Sequence, residues 1–331
     1  MQQRVEHFPD QLQEAIAISQ AAEVHLPNSH TISRVVLGGL GGSAFGGEII
    51  RNYGLQKLRK PFDIQRGYEV PTYVDDETLY ILSSYSGNTE ETLAQAKEAY
   101  QRNAQVVAIT SGGELARWAQ AHGLPHILVP GGFPPRSACG YSIVQQLRIL
   151  HTAGILPDYA ADLNEALAAI RAFGPADHTR ARELAQACVN RWVVLYSSNI
   201  NDAVAIRFRQ QINENAKQLC SHHVVPEMNH NELVGWVYPQ TVLQNTTVLY
   251  LRSHHEHPRT AYRFDLNRTV IEEAGGQILE VWASARIGLL AELLYQLHLA
   301  DWVSLYLAEA NNVDPLPVQV IDRLKSSLAQ K

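Results

Sequence analysis

The chain reads as an α/β protein made of two related halves, each a parallel β-sheet flanked by helices. Three observations predict this. Short apolar runs at 35–37, 79–83, 106–110 and 127–129 alternate with helical stretches such as 90–102, the rhythm of strands buried under crossover helices. A comparable rhythm restarts at 192–196 and continues at 247–251 and 278–281. The 331 residues, 46% of them hydrophobic, suffice for two ordinary cores.

The chain opens with MQQRVEHFPDQLQEAIAIS, which mixes charged and apolar residues at helical spacing and carries no leader or anchor pattern, so a cytoplasmic protein is expected. The first strand, VVL, runs into GGLGGSAFGG at 38–47. Glycines there, Gly42 among them, let backbone N–H groups approach an anion before a helix begins, and Ser43 adds a hydroxyl. The strand LYILS runs into SSYSGNTEET at 83–92, with the small donors Ser84, Ser86, Asn88 and Thr89 ahead of an acidic helical turn. Together the two loops describe a pocket for a phosphate monoester. The first also fits a dinucleotide pattern, GxGxxA at Gly39, Gly41 and Ala44, with Asp63 at the distance of a ribose-binding acid. A second hydroxyl-rich loop has no part in holding a pyrophosphate, however, and no lysine follows the glycines as in a P-loop. A sugar phosphate suits the donors better.

A helical segment at 142–152 and the proline turn in ILPDY divide the chain into 1–153 and 154–331. No low-complexity linker separates the halves, and the cleft between them is the natural place for a ligand. The net charge of -6 and the absence of basic runs exclude non-specific nucleic-acid binding. The most apolar segment, 287–308, is interrupted by Glu292, His298 and Asp301 and reads as a buried helix, not a membrane span. Cys139, Cys188 and Cys220 stand far apart, which points to reduced thiols and offers no disulfide framework.

Groups able to do chemistry lie further along. In AIRFRQQINENAK the apolar residues recur at helical spacing, so Glu214 falls on or near a helix, between two asparagines able to orient it as a general base. Alone it would read as a surface charge. HHVVPEMNHNELVGW gathers His222, His223, Glu227, His230 and Glu232 around a proline turn; zinc or iron is conceivable there, although the spacing matches no closed metal motif. His254, His255 and His257 read as a polar loop. Arg136, fixed by two prolines in GGFPPRSACGYS, is placed to stabilise an oxyanion, with a structural ion pair as the plainer alternative. Lys325 alone is a helix-end cation, and Trp236, Trp282 and Trp302 read as packing residues.

Taken in order, GGLGGSAFGGE, SYSGNTEET, PPRSACGYS, NENAK, PEMNHNELVGW and LADWVSLYLAEANNVDPLPVQVIDRLK resemble the bifunctional phosphoglucose/phosphomannose isomerase family within the sugar isomerase (SIS) domain superfamily. The resemblance implies two SIS-type domains and a homodimer with active sites near the subunit boundary. It implies that Gly42, Ser43, Ser84, Ser86 and Thr89 bind the phosphate, Arg136 stabilises the intermediate and Glu214 shuttles the proton. His230, from the partner subunit, and Lys325 would assist ring opening. No metal and no cofactor are implied, and the expected partner is a small sugar phosphate, with no nucleic acid and no membrane. The implied reaction interconverts glucose 6-phosphate and mannose 6-phosphate with fructose 6-phosphate through a cis-enediol; the rivals are a non-catalytic SIS-domain regulator that binds a sugar phosphate and a nicotinamide dehydrogenase. Where the family commonly has GMGGSGxGGD, this chain has Leu40, Ala44 and Glu48, and a methyl at Ala44 is in a position to shift the loop.

Overall fold

The computed structural model describes residues 1–26 and 29–328. Contacts within the chain divide it into two compact units, one formed by Glu6–Arg171 with Leu289–Ala291, the other by Met1–Val5, Ala172–Gly288 and Glu292–Lys331.

In the first unit, five strands form one parallel sheet: β1 Arg34–Gly38, β2 Phe62–Gln65, β3 Thr78–Ser83, β4 Gln105–Thr110 and β5 His126–Leu128, in the order β2-β1-β3-β4-β5. β3 is buried along its whole length, which is why it reads as an unbroken apolar run. The sequence did not announce β2, because FDIQ is short, lies at the edge and is only partly covered. Val36, Tyr80, Leu82, Val106 and Ala108 pack under Ala96, Ala99, Leu115 and Ala119 of the covering helices. The unit runs past the expected 153/154 division to Arg171: on its helix Ala160–Arg171, Asp162 accepts hydrogen bonds from Tyr53 and Lys57.

The second unit repeats the strand order: β6 Trp192–Ser198, β7 Cys220–Val225, β8 Thr246–Leu251 and β9 Gln277–Val281 lie as β7-β6-β8-β9, all parallel. β7 was hidden in sequence by CSHHVV, whose middle residues are half-buried. From β6 the chain turns one way to β7, then crosses back to β8 and on to β9. Right-handed crossovers therefore place the helix Asp202–Asn215 on one face, and residues 226–243 with the helix Pro258–Glu273 on the other. The side chains agree. Met228 and Trp236 pack with Tyr196, Tyr250, Phe264 and Ile271, while Gln211 and Asn215 donate to Asp301 and Ser304 of the helix Leu289–Ala310.

That last helix is the buried element expected at 287–308. Its polar residues are used internally: Glu292 accepts from the His254 N–H, Trp302 donates to His298, and Asp301 accepts from Gln211. No helix among the described residues is long and apolar enough to cross a membrane.

Candidate active site

β1 and β3 are neighbours whose connections leave in opposite directions, so the loops after them flank the switch point of the first sheet, where α/β sheets bind ligands. Both predicted phosphate loops stand here. After β1 the chain enters the helix Gly41–Gly54, and after β3 the helix Glu90–Gln101; neither start is capped by a side chain. Their first N–H groups and positive dipole ends are thus available to an anion.

Hydroxyls fill in around them. Ser43 Oγ accepts from the Tyr85 N–H at 3.0 Å, which joins the two loops and leaves the Ser43 proton free to be donated. The Ser43 carbonyl is held from behind by Ser142 Oγ at 3.0 Å and Gln146 Nε2 at 3.4 Å. Ser84 is buried and donates to Thr89 Oγ1 at 2.9 Å, so it orients Thr89 instead of facing solvent. Ser86 is exposed and accepts from the Asn88 N–H at 3.2 Å. Gly87 turns this loop with φ +68°; an added Cβ would lie 1.9 Å from the Gly112 carbonyl oxygen. Ala44, the departure in the first loop, is fully buried within its helix, so its methyl packs inward and away from the open side of the loop.

Arg136 joins this group through the backbone. It is buried on the 3-10 turn Pro135–Ser137, which closes with the Ser137 N–H donating to Pro134 O at 2.8 Å. A Cβ on Gly42 would meet Pro135 O at 2.5 Å and Arg136 Cα at 3.4 Å, so only glycine admits the arginine turn this close to the first loop. The helix Cys139–Thr152 follows at once, its Gly140 N–H donating to Gln11 Oε1 at 2.9 Å. Gly42, Ser43, Tyr85, Thr110, Pro135 and Ser142 line a small, narrow cleft.

Glu214 lies in the second unit, half-buried in the last turn of the helix Asp202–Asn215. The asparagines beside it fix the helix end: Asn213 Oδ1 accepts from the Cys220 N–H at 3.0 Å, and Asn215 Nδ2 donates to Ser304 Oγ at 2.9 Å. Lys217 Nζ donates to the Glu214 carbonyl. Glu214 opens onto a groove lined also by Asn213, Leu219, Pro317, Val318 and Ile321. The helix Gln319–Leu328, which carries Lys325, begins at this groove; the Lys325 side chain lies outside the described residues. His230 ends the short helix Glu227–His230 and is exposed. It follows β7 on the face opposite the Glu214 helix, so within this unit the sheet stands between the two.

The histidine-rich segment does not converge. His222 and His223 lie on β7, with His222 Nε2 3.7 Å from Asp202 Oδ1, while His230 follows the strand. Burial first, then the charges of Arg209 and His223, lower His222 to about 4. Among the described residues, no three His, Cys, Asp or Glu side chains are grouped to hold a metal ion. The second sheet's own switch point is stitched shut. Asn201 donates to Leu251 O at 3.0 Å and accepts from Ser198, and Arg252 is paired with Glu256 at 2.6 Å and Glu280 at 2.9 Å. Asp63, the acid of the dinucleotide pattern, pairs with Val36 two residues before the end of β2 and accepts from the Tyr73 hydroxyl, away from the strand end that a ribose-binding acid occupies. Sequence reasoning missed Tyr85 and Gln11, which hold the Arg136 segment. Tyr85 could have been noticed as the one large residue among the small donors; Gln11 carried no signal.

Two family models match the chain: "SIS domain" over residues 30–132 and "Bacterial phospho-glucose isomerase C-terminal SIS domain" over residues 177–328. A bifunctional phosphoglucose/phosphomannose isomerase of Caldicellulosiruptor bescii is 34% identical over 340 residues, covering 100% of this chain and 99% of the relative. Its counterpart in Aquifex aeolicus is 34% identical over 297 residues, 89% of this chain and 90% of the relative. Among solved structures, the C-terminal domain of glucosamine-fructose-6-phosphate aminotransferase from Francisella tularensis superposes with a TM-score of 0.73 at 13% identity, over 94% of this chain and 96% of that one. That likeness speaks for the fold.

Proposed function

From the premise that the chain belongs to the bifunctional phosphoglucose/phosphomannose isomerase family, we propose that it interconverts glucose 6-phosphate and mannose 6-phosphate with fructose 6-phosphate through a cis-enediol. The observation that carries this reading is the meeting of Ser43, the hydroxyl loop and the Arg136 turn at one sheet edge, beside two helix starts without side-chain caps. Such a site offers donors to a phosphate dianion and a fixed cation to a developing enediolate.

In this mechanism the N–H groups of the loops, with Ser43, Ser86 and Thr89, hold the phosphate, and Ser84 fixes Thr89. His230 and Lys325 assist ring opening by moving a proton between the ring oxygen and the C1 hydroxyl of the aldose. Glu214 then takes the proton from C2; the C–H electrons form the C1–C2 double bond, and the C1 carbonyl oxygen gains the negative charge that Arg136 offsets. Return of the proton to C1, with transfer of the O2 proton to O1, gives the ketose. Glucose and mannose phosphates share this enediol, so rotation about C2–C3 before reprotonation yields either epimer. Arg136 supplies the positive charge that the step needs, and no metal is called for. The position of His230 across the sheet from Glu214 supports a homodimer in which each histidine serves its neighbour. Three buried cysteines that form no disulfide with one another are in keeping with a reducing cytoplasm.

The test is to give chelator-treated protein fructose 6-phosphate and follow both aldose phosphates by NMR, beside Glu214→Gln. Both products are expected, falling by about 10²–10⁴-fold in the variant. Tight binding of fructose 6-phosphate without turnover would replace this reading with a sugar-phosphate-binding regulator.

A further inference from the structure

Arg136 is carried by residues 130–140, a stretch whose only regular structure before its final helix is one 3-10 turn. A segment of this kind holds a catalytic geometry only if other parts of the unit pin it. Two side chains do so. On one flank, the Tyr85 hydroxyl donates to Pro130 O at 2.9 Å and accepts from the Phe133 N–H at 3.0 Å. On the other, the buried Gln11 amide donates to Ser137 O at 2.7 Å and accepts from the Gly140 N–H at 2.9 Å. The four bonds bracket Arg136 in sequence on both sides.

Tyr85 does more than pin one end. Its N–H donates to Ser43 Oγ, and its carbonyl accepts from the N–H and hydroxyl of Ser111 at 2.9 and 2.6 Å. One residue thus joins the first phosphate loop, the second phosphate loop and the arginine segment. The Gln11 amide is equally committed, since it both donates to and accepts from backbone groups of the arginine segment.

We propose that Tyr85 and Gln11 are positioning residues that set where Arg136 stands relative to the phosphate, an inference that rests on the role given to Arg136 above. On this reading both side chains act through the arginine, by the bonds they make to its segment. Tyr85→Phe removes both pins of one flank with almost no change of volume, and Gln11→Met removes both of the other, so each variant backs up the other should one be poorly folded.

The measurements are steady-state kinetics with fructose 6-phosphate, competitive inhibition by inorganic phosphate, and amide hydrogen exchange. For each variant kcat is expected to fall about tenfold or more, with KM and the phosphate inhibition constant within about twofold of wild type, since misplacement on the order of 1 Å costs rate more than binding. Exchange over residues 131–138 should quicken about tenfold while residues 84–89 keep their protection. In an Arg136→Lys background the same substitutions should cost less than about twofold, because residues acting through one another are not additive. An equal loss in both backgrounds would overturn the inference, as would a loss confined to KM and phosphate affinity. If Arg136→Lys alone kept full activity, the role given to Arg136 would fail first and the positioning role would fall with it.

Discussion

Replacing Gly42 with alanine is expected to separate stability from catalysis at this site. The added Cβ would sit 2.5 Å from Pro135 O and 3.1 Å from Pro135 C. Ordinary carbon–oxygen contact begins near about 3.3 Å, so the arginine turn must retreat by roughly 0.8 Å. Its neighbours are backbone atoms and cannot swing aside as a flexible side chain does. Overpacking of this kind costs about 1–3 kcal/mol. Residue 42 lies in the first turn of the helix Gly41–Gly54, where exchanging glycine for alanine returns at most about 1 kcal/mol. The net change in folding stability is therefore about 0–2 kcal/mol. Catalysis has no such offset. A displacement of about 1 Å at a group that stabilises the transition state costs on the order of 10²-fold in kcat. The assay is the rate of conversion of fructose 6-phosphate beside thermal unfolding of the same preparation. A kcat within about threefold of wild type, at unchanged stability, would refute the claim that this approach positions Arg136.

Other outcomes follow from the same geometry. Ser43→Ala removes the acceptor of the Tyr85 N–H and, on the proposed reading, one donor to the phosphate, so KM for fructose 6-phosphate should rise about 10–100-fold, by the roughly 1.5–3 kcal/mol of a hydrogen bond to a charged group; steady-state kinetics will show it. Acid should destabilise the second unit through the buried His298 and the half-buried His222. Burial lowers His298 to about 3, assisted by the charge of His178, and His222 stands at about 4. Both lie below the unfolded value near 6.5, so between these limits the unfolded chain binds more protons. Their contribution is complete above about pH 6.5 and is lost as pH falls, by up to about 1.4 kcal/mol per pH unit for each histidine. Urea unfolding between pH 6.5 and 4.5 should show this decline, and His298→Gln should flatten it.

Much of the fold was legible because parallel strands buried on both faces leave unbroken apolar runs. VVL, LYILS and TTVLYL could be read directly. Phe62–Gln65 and Cys220–Val225 escaped because each is an edge strand with only one well-covered side, and the adjacent histidines of Cys220–Val225 suggested chemistry more than a strand. Of the candidate site, the two loops rich in glycines and hydroxyls were legible because each directly follows an apolar strand run and precedes a helix. The part Ser84 plays was not, since burial turns its hydroxyl onto Thr89. Nor does sequence reveal that the asparagines beside Glu214 are used on Cys220 and Ser304. Gln11 and Tyr85 remained hidden because their partners are backbone atoms more than a hundred and more than forty residues away, respectively, and nothing in a one-dimensional pattern marks such a meeting.

Within the second unit, the sheet stands between the helix that carries Glu214 and the segment that carries His230. If the two residues serve one sugar, every working centre is a joint property of two chains, and damage to either residue can be made good by a neighbour that keeps it. Inactive Glu214→Gln protein and inactive His230→Ala protein, dissociated and reassembled together, would then recover activity that neither has alone, because each mixed pair contains one centre with an intact glutamate facing an intact histidine. Selection on such an enzyme acts on the pair, and dilution below the dimer dissociation constant would silence it without unfolding a single residue.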